Sequence, residues 1–290
     1  MTPSIAYALA ALVCYGLGDF IYKRAAAAGL SSVHLLTGQA WLFCPVVILY
    51  AWLTGTLRLD LPAWWGGAAG AFLLIGFYNF SRALQTGAVS AIAPIFRLNF
   101  IVTAALAIGW LHEPLTAQKL AGFALTFVAG WLLLATAAGG KAPDPSARPR
   151  PPVRGPGLRV ALATVMTGAG AFCHKLGLVA GATPESLLSA QAIVFCSAIT
   201  VMVYAMTGSL RLPSGSLRHY GPAAAVLVGA FLFMLYGLKG GEASVVVPIA
   251  QMGFVAAAVL GVAVFGEAVT ARKLAGLACA IAALLLLAIS

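Results

Sequence analysis

The chain has 290 residues, of which 62% are hydrophobic and only 8% are charged, and its mean hydropathy is +0.99. A soluble domain carries roughly 25% charged residues, so this composition excludes a soluble globular fold. The apolar runs are continuous and do not alternate with polar residues, which excludes a membrane β-barrel and predicts an all-α membrane protein. The formal net charge of +10 comes from Lys and Arg that lie mostly at segment ends and in one linker. That pattern is typical of an orientation signal rather than of a nucleic-acid surface.

Ten apolar segments are long enough to cross a hydrocarbon core, which is about 30 Å thick and needs about 20 helical residues. They lie near 4–27, 33–53, 62–84, 90–111, 116–136, 158–180, 185–206, 219–238, 243–265 and 270–289. The stretch between the fifth and sixth segments is rich in Pro, Gly and Arg and cannot build a core. We therefore predict a first five-helix repeat at 1–138, a solvated linker at 139–157 and a second five-helix repeat at 158–290.

The two halves repeat one another at a nearly constant offset, which indicates a duplication. The matched pairs are Phe20 with Phe172, Lys23 with Lys175, Gln39 with Gln191, Cys44 with Cys196, Gly87 with Gly241, Ser90 with Ser244, Pro94 with Pro248, Glu113 with Glu267, Thr116 with Thr270 and Lys119 with Lys273. Because five is an odd number of spans, the second half is predicted to be inverted relative to the first. Inverted repeats are typical of transporters that work by alternating access.

Ten helices, two five-helix halves and a glutamate at the end of the fourth helix of each half resemble the EamA family of the drug/metabolite transporter (DMT) superfamily. The glutamates are Glu113 and Glu267. The resemblance implies an exporter or exchanger of amino acids, other metabolites or toxic compounds; related branches carry nucleotide sugars, choline or lipid-linked sugars. One departure lies early in the second helix, where many members carry an Arg-Phe pair and this chain has Gln39-Ala40-Trp41.

The cations are distributed unequally between the two membrane faces. Side A, which we define as the face with the N-terminus and the loops after helices 2, 4, 6 and 8, carries Arg58, Lys119, Lys175 and Lys239. Side B, the opposite face, carries Lys23, Arg24, Arg82, Lys141, Arg148, Arg150, Arg154, Arg159, Arg211, Arg218, Arg272 and Lys273. The positive-inside rule therefore predicts that side B is cytoplasmic. The family resemblance implies the opposite, with both termini inside, and our prediction follows the charge count.

Asp19 and Arg97 lie inside apolar segments, where a charge costs about 2.5–3.5 kcal/mol at the bilayer centre. At 1.5 Å per residue the two lie at nearly the same depth, so they can pair or share a site. Their repeat equivalents are Ala171 and Gln251, so the duplicated scaffold does not require the charges. Two interpretations are open, a structural ion pair and a substrate or proton site.

Other side chains are candidates for substrate or coupling-ion contacts. Tyr22, Asn79, Tyr78 and Asn99 lie near the same depth, and Gln251 is the repeat equivalent of Arg97. The aromatic residues Phe96 and Tyr236 either line a central cavity or face lipid. Pro94 and Pro248 lie near the start of helices 4 and 9, where they are either tolerated or mark a local break beside the substrate path. Glu113 and Glu267 are predicted to form helix-to-helix turns in which the following Thr caps the next helix.

Buried thiols behave as small hydrophobes, and all five cysteines fall inside apolar runs, so we predict no disulfide. No histidine has a partner at metal-ligand spacing, and we predict no metal and no cofactor. The first apolar run lacks a basic leader and is predicted to be a retained helix rather than a signal peptide.

The sequence predicts a secondary transporter of a small metabolite, with amino acids or related compounds as candidates, working as an exporter or exchanger in a bacterial inner membrane. No phosphate-binding Gly-rich loop is present, so direct ATP coupling is not expected. Alternatives are uptake or flipping of a larger amphiphile, or a non-transporting membrane scaffold. An enzyme is disfavoured because no nucleophile–base set lies at one depth. The expected partners are a small-molecule substrate and the lipid bilayer, without nucleic acid, for a monomer or homodimer.

Overall fold

The structure, a computed structural model, describes residues 2–84, 92, 95–137, 156–212, 217–265 and 269–290. All regular structure in these ranges is helical. The helices are α1 (Pro3–Ala27), α2 (Ser32–Leu53), α3 (Trp64–Leu84), α4 (Asn99–Leu111), α5 (Ala117–Ala137), α6 (Pro156–Val179), α7 (Pro184–Thr207), α8 (Leu217–Gly240), α9 (Ala243–Gln251), α10 (Gly253–Phe265) and α11 (Ala271–Ala288). A short 3-10 helix, Leu61–Ala63, precedes α3.

Eight stretches of the described chain are long and apolar enough to cross a membrane. They are Pro3–Tyr22, Val33–Leu53, Leu61–Ala83, Gly157–Val179, Pro184–Thr207, Leu217–Gly240, Ala243–Val264 and Ala271–Ala288. Two shorter apolar helices, Ile95–Leu111 and Ala117–Leu133, correspond to the fourth and fifth predicted segments. The predicted all-helical architecture is confirmed, and the described residues contain eight candidate spans and these two further apolar helices. Most of the predicted linker and of the predicted start of the fourth segment lies outside the described residues, and α6 begins at Pro156, inside the predicted linker.

Side-chain caps set several helix starts. Thr116 accepts a hydrogen bond from the Lys119 N–H at 3.2 Å, and Thr270 accepts one from the Lys273 N–H at 3.3 Å. Thr183 caps α7 in the same way through the Ser186 N–H at 3.2 Å. A hydroxyl at this position satisfies one of the backbone donors that a helix leaves free at its first turn. The caps at Thr116 and Thr270 are the ones that the sequence predicts after Glu113 and Glu267.

Hydrogen bonds join the ends of α2, α6 and α8 and the start of α7 at one face of the bundle. Lys175, near the end of α6, donates to the carbonyl oxygens of Leu238 at 2.9 Å and Gly241 at 2.6 Å, at the end of α8. Ser186, at the start of α7, donates to the carbonyl of Thr56, after α2, at 2.7 Å. This face contains the loops after α2, α6 and α8, and it is therefore side A as defined from the sequence.

The helices on side A pack tightly because small residues face the neighbouring backbone. A Cβ placed on Gly66 of α3 would lie 2.0 Å from the carbonyl oxygen of Leu187 in α7. Only a glycine permits this approach, which is the usual way for helices to pack closely in a membrane. The contact fixes α3 of the first half against α7 of the second half on side A.

Two helices are interrupted at repeat-equivalent positions. The chain makes a turn at Leu98 before α4, and a turn at Met252 between α9 and α10. In both turns the backbone forms bonds three residues apart: Leu98 N–H to Ile95 O at 3.0 Å, and Met252 N–H to Ile249 O at 3.1 Å. The predicted segment 243–265 is thus two helices, because the chain leaves the regular α-helical bonding pattern at Met252.

Candidate functional site

A cavity of about 530 Å³ lies inside the helical bundle, between the two halves of the chain. Its wall is mainly apolar and aromatic, and its aromatic members are Tyr15, Tyr22, Phe43, Phe77, Phe80, Phe96, Phe195, Phe231 and Phe254. Cavities of a few hundred cubic ångströms with a few placed polar groups are typical of sites for small molecules. The volume and lining are those of a metabolite-sized site.

The cavity extends towards side B. Its lining includes Leu30, Leu35, Ser81 and Lys273, all close to the side-B ends of their segments. On the other side the lining stops at residues well inside their helices, such as Met234 of α8. Among the described residues, no side-A loop contributes to the wall. In the part of the chain that the structure describes, the cavity therefore reaches the side-B helix ends and is closed towards side A.

Asp19 and Arg97 form an ion pair on the cavity wall. Arg97 Nη2 donates to Asp19 Oδ2 at 2.5 Å, and both residues line the cavity. The exposed fractions of the side chains are 20% for Arg97 and 37% for Asp19, so both charged groups remain partly accessible. An arginine offers five donors in a planar fork, so Arg97 can bind a second carboxylate while it contacts Asp19.

The helix interruptions place one polar side chain of each half on this wall. Arg97 directly precedes the turn at Leu98, and its repeat equivalent Gln251 directly precedes the turn at Met252; both line the cavity. The backbone near the first turn is satisfied by neighbouring side chains. Thr164 donates to the Ile95 carbonyl at 3.1 Å, and Asn99 Nδ2 donates to the Phe96 carbonyl at 2.9 Å. Irregular backbone is tolerated at membrane depth where it is buried in protein or lines a cavity, as here.

A second pair of repeat-related contacts lines the cavity. Tyr22 of α1 donates its hydroxyl to the amide oxygen of Gln39 in α2. In the second half, His174 of α6 lies with Nε2 2.6 Å from the amide oxygen of Gln191 in α7. All four residues belong to the cavity wall. Sequence reasoning named only Tyr22 and missed the other three, although the match of Gln39 with Gln191 between the repeats was a signal for them.

Glu113 lies in the turn between α4 and α5, as the sequence predicts, and it also bonds a helix of the other half. His112 adopts a left-handed conformation with φ of 56°, which ends α4 and turns the chain. The Glu113 carboxylate then accepts hydrogen bonds from the backbone N–H groups of Ala243 at 2.8 Å and Ser244 at 2.9 Å. It therefore caps the start of α9, a helix of the other half, and its turn role is supplemented by a bond between repeats. Glu267 lies outside the described residues.

A buried cation lies beside this cap. Lys119 has no exposed surface; it donates to the Pro114 carbonyl at 2.7 Å and forms an ion pair with Glu242. We call Glu113, Lys119, Glu242, Ala243 and Ser244 the side-A closure. Its bonds join the segment after α4 to the segment before α9, so they hold the two halves together on the side towards which the cavity is closed.

Asn79, Tyr78 and Tyr236 do not line the cavity in the ranges that the structure describes. Asn79 donates to the Ile75 carbonyl at 2.9 Å and accepts from Arg159 at 3.3 Å. Tyr236 donates to Glu185 and stacks on Tyr7 with ring centroids 5.6 Å apart, in the packed region of side A. Depth suggested Asn79 and Tyr78, and aromatic character suggested Tyr236. Their helix faces or their position at the closed end of the bundle keep them away from the cavity.

The remaining candidates do line the cavity. Phe96 stacks on Phe80 with ring centroids 4.0 Å apart. Asn99 is 1% exposed, and its Oδ1 has no hydrogen-bond partner. Together with Asp19, Arg97, Tyr22 and Gln251 they form a polar and aromatic wall around one volume.

Comparisons with known proteins agree with this architecture. The model of the EamA-like transporter family matches residues 2–135 and 157–289. No curated protein matches the chain. A crystal structure of a protein is similar with a TM-score of 0.78 and 17% sequence identity, covering 98% of this chain and 95% of that chain. At this identity the structural likeness shows the fold alone.

Proposed function

We propose that this chain, which belongs to the EamA-like transporter family of the DMT superfamily, is a secondary transporter that exports or exchanges a small metabolite by alternating access. Family membership and the apolar helices make it an integral membrane protein of the transporter class. We further propose that the substrate bears a carboxylate, as an amino acid or related compound does, and that the protein lies in a bacterial inner membrane. The working unit is a monomer or homodimer in the bilayer, with no cofactor and no catalytic step.

One observation carries the proposal: both halves interrupt a helix at the same repeat position, and the side chain before each interruption lines the same cavity. These side chains are Arg97 and Gln251. Discontinuous helices at the interface of repeats are a recurrent way to build a transport site near the bilayer midplane. A scaffold without transport would have no need of either interruption, and the cavity volume favours a small metabolite over a large amphiphile.

Alternating access requires two halves that can exchange roles. We assign these halves to 1–138 and 158–290, joined by the linker 139–157, with five spans each in opposite orientation. The helix ends support this assignment: the start of α1 lies beside the end of α8, since a Cβ on Gly241 would be 2.8 Å from the Ser4 Cβ, and Lys175 brings the end of α6 to the same place. Thus α1 and its repeat equivalent α6 run in opposite directions.

The charged pair on the wall favours a substrate that carries both charges. A substrate carboxylate would bind Arg97 through two parallel hydrogen bonds, and a substrate ammonium group would bind Asp19. The substrate carboxylate then takes the place of Asp19 beside Arg97, and the substrate ammonium group takes the place of Arg97 beside Asp19. An uncharged amphiphile offers neither replacement.

Proton coupling is tested by Asp19→Asn, a change of similar size that removes the carboxylate from the wall. In proteoliposomes with an amino acid panel, we expect the wild type to accumulate its substrate when a pH gradient is imposed. The variant is expected to lose gradient-driven accumulation and to retain exchange. Asp60→Asn is the control, because Asp60 caps the 3-10 helix outside the cavity. Unchanged pH dependence in Asp19→Asn removes Asp19 from the coupling mechanism. No flux of any amino acid removes the amino acid proposal, no flux of a wider metabolite panel indicates a scaffold, and a chemically altered substrate indicates an enzyme.

Orientation gives an independent prediction. Two of the four side-A cations, Lys119 and Lys175, are engaged in internal bonds, and the prediction rests on the charge count of the sequence. With side B in the cytoplasm, a cysteine at Ser146 in the linker is expected to be protected from an impermeant thiol reagent in intact cells and labelled after permeabilisation. The unsubstituted protein serves as the control for its native cysteines. Equal labelling before and after permeabilisation reverses the orientation.

A further inference from the structure

The two repeat-related hydrogen-bonded pairs occupy opposite ends of the cavity. Gln39 lies one to two turns into α2, which starts on side B, and Gln191 lies equally far into α7, which starts on side A. At 1.5 Å per residue each amide is about 10 Å from its own face. The Tyr22–Gln39 pair is therefore near the side-B end of the cavity, and the His174–Gln191 pair is at its closed, side-A end.

The closed end contains a polar group whose bonding is incomplete. His174 has no exposed surface, and because its Nε2 faces the amide oxygen of Gln191, Nε2 donates and Nδ1 is left as an acceptor without a partner. His174 and Gln191 both line the cavity. Buried polar groups are nearly always paired, so a group left unpaired beside a cavity indicates a ligand that completes the bonding.

The surroundings of His174 are uncharged. Gln191 faces it from α7, and Phe231 covers it from α8 with ring centroids 6.1 Å apart and the rings nearly perpendicular. Lys175, the next residue, donates to main-chain carbonyls of the side-A end. The chemistry of this end is thus neutral hydrogen bonding, in contrast to the Asp19–Arg97 pair on the same wall.

We propose that His174 and Gln191 form a second recognition subsite at the closed end of the cavity, for an uncharged hydrogen-bonding group of the substrate such as a hydroxyl or an amide. The inference rests on the proposed transport function and adds a requirement to it. The substrate carries a charged end for Asp19 and Arg97 and a neutral polar end for the His174 subsite.

The repeat makes the subsite dependent on the side of entry. A substrate that enters from side B meets the His174–Gln191 pair at the far end. In the opposite access state the two halves exchange roles, and the Tyr22–Gln39 pair is then at the far end. Each glutamine is therefore expected to determine selectivity for substrate that arrives from the opposite face.

The test uses Gln191→Leu and Gln39→Leu in proteoliposomes, with probes that differ by one polar group: L-threonine and L-valine, L-glutamine and L-methionine, and L-tyrosine and L-phenylalanine. Initial rates of transport are measured separately with the probe supplied on side B and with the probe supplied on side A. We expect Gln191→Leu to lower kcat/KM for the polar member of a transported pair about tenfold or more from side B, and to change the apolar member about twofold or less. Gln39→Leu is expected to do the same from side A.

Asn79→Leu is the matched control, because it removes a buried amide that bonds Arg159 outside the cavity. It is expected to change both probes of a pair equally. Gln191→Met replaces Gln191→Leu if the leucine variant does not fold. A polar-to-apolar selectivity that is unchanged in Gln191→Leu and Gln39→Leu, or that changes equally from both sides, overturns the subsite and leaves the transport function intact. No flux of any probe through the wild type overturns the amino acid proposal, and the subsite with it.

Discussion

Replacing Glu113 by glutamine is expected to open the cavity towards side A. The carboxylate accepts hydrogen bonds from two backbone N–H groups of α9, those of Ala243 and Ser244. A hydrogen bond to a charged group contributes about 1.5–3 kcal/mol, and a negative charge at a helix N-terminus adds about 0.3–1 kcal/mol. Glutamine can accept only one of the two bonds and has no charge.

The expected size of the effect follows from these contributions. A net loss of about 2 kcal/mol, if the bonds exist only in the side-A-closed state, shifts the access equilibrium about thirtyfold. The ion pair of Lys119 with Glu242 remains in the variant, so the fold of the closure is retained while its preference for the closed state is reduced. Exchange that is limited by opening to side A is then expected to become faster.

Accessibility measures this shift directly. Met234 lines the cavity near its closed end, so Met234→Cys in a background without the native cysteines reports on side-A opening. An impermeant thiol reagent added from side A is expected to label it about thirtyfold faster when Glu113→Gln is present. Asp60→Asn is the control, since Asp60 caps a helix on the same face within its own segment, at 3.4 Å from the Ala63 N–H.

The repeat predicts a second variant with the opposite effect. Glu267 is the repeat equivalent of Glu113, and Glu267→Gln is expected to favour opening to side B and to slow side-A labelling. A labelling rate in Glu113→Gln within twofold of the wild-type rate, together with normal transport, would show that Glu113 stabilises the fold and has no part in access.

The spans were predictable from sequence because length and continuous hydropathy decide whether a helix crosses a membrane. The interruptions at Leu98 and Met252 were only one of two interpretations that Pro94 and Pro248 left open, since a proline near a helix start is also tolerated without a break. At the second turn, a Cβ on Gly16 of α1 would lie 2.6 Å from the Gly253 carbonyl oxygen. The irregular turn thus coincides with a tertiary approach of two helices, and a local reading of sequence contains no such contact.

The charged pair was predictable because a charge inside an apolar segment is costly and needs a reason. Neutral polar residues are cheaper, so Gln191 and His174 gave no comparable signal, and sequence does not tell which helix face meets the cavity. The role of Glu113 was hidden for another reason. Its bonding partners lie 130 and 131 residues away, and only the packing of one half against the other brings them together.

Asp19 and Arg97 give the most direct test of whether the ion pair binds substrate or only stabilises the fold. Breaking a fully buried ion pair costs about 3–5 kcal/mol because the remaining charge is left alone. Exposed fractions of 37% and 20% mean that water in the cavity screens the remaining charge, so we expect each single variant, Asp19→Ala and Arg97→Gln, to lose only about 1–2 kcal/mol of stability.

The double variant Asp19→Ala with Arg97→Gln separates the two roles. It installs the residues that the second half already has at these positions, Ala171 and Gln251, and it leaves no unpaired charge. Thermal stability is therefore expected to return close to the wild-type value. Flux of a carboxylate-bearing substrate is expected to fall at least about a hundredfold, because Gln lacks the charged, bidentate donor set of Arg97.

Stability and flux should be measured on the same preparations of both single variants and the double variant. Asp60→Asn is the control, since it removes a carboxylate that caps the 3-10 helix outside the cavity, and we expect it to fold normally and to keep most of its flux. If Arg97 only balances Asp19, the double variant recovers both properties. A double variant that is stable and transports at the wild-type rate would therefore remove the ion pair from the substrate site, and the cavity would have to recognise its substrate through the neutral residues alone.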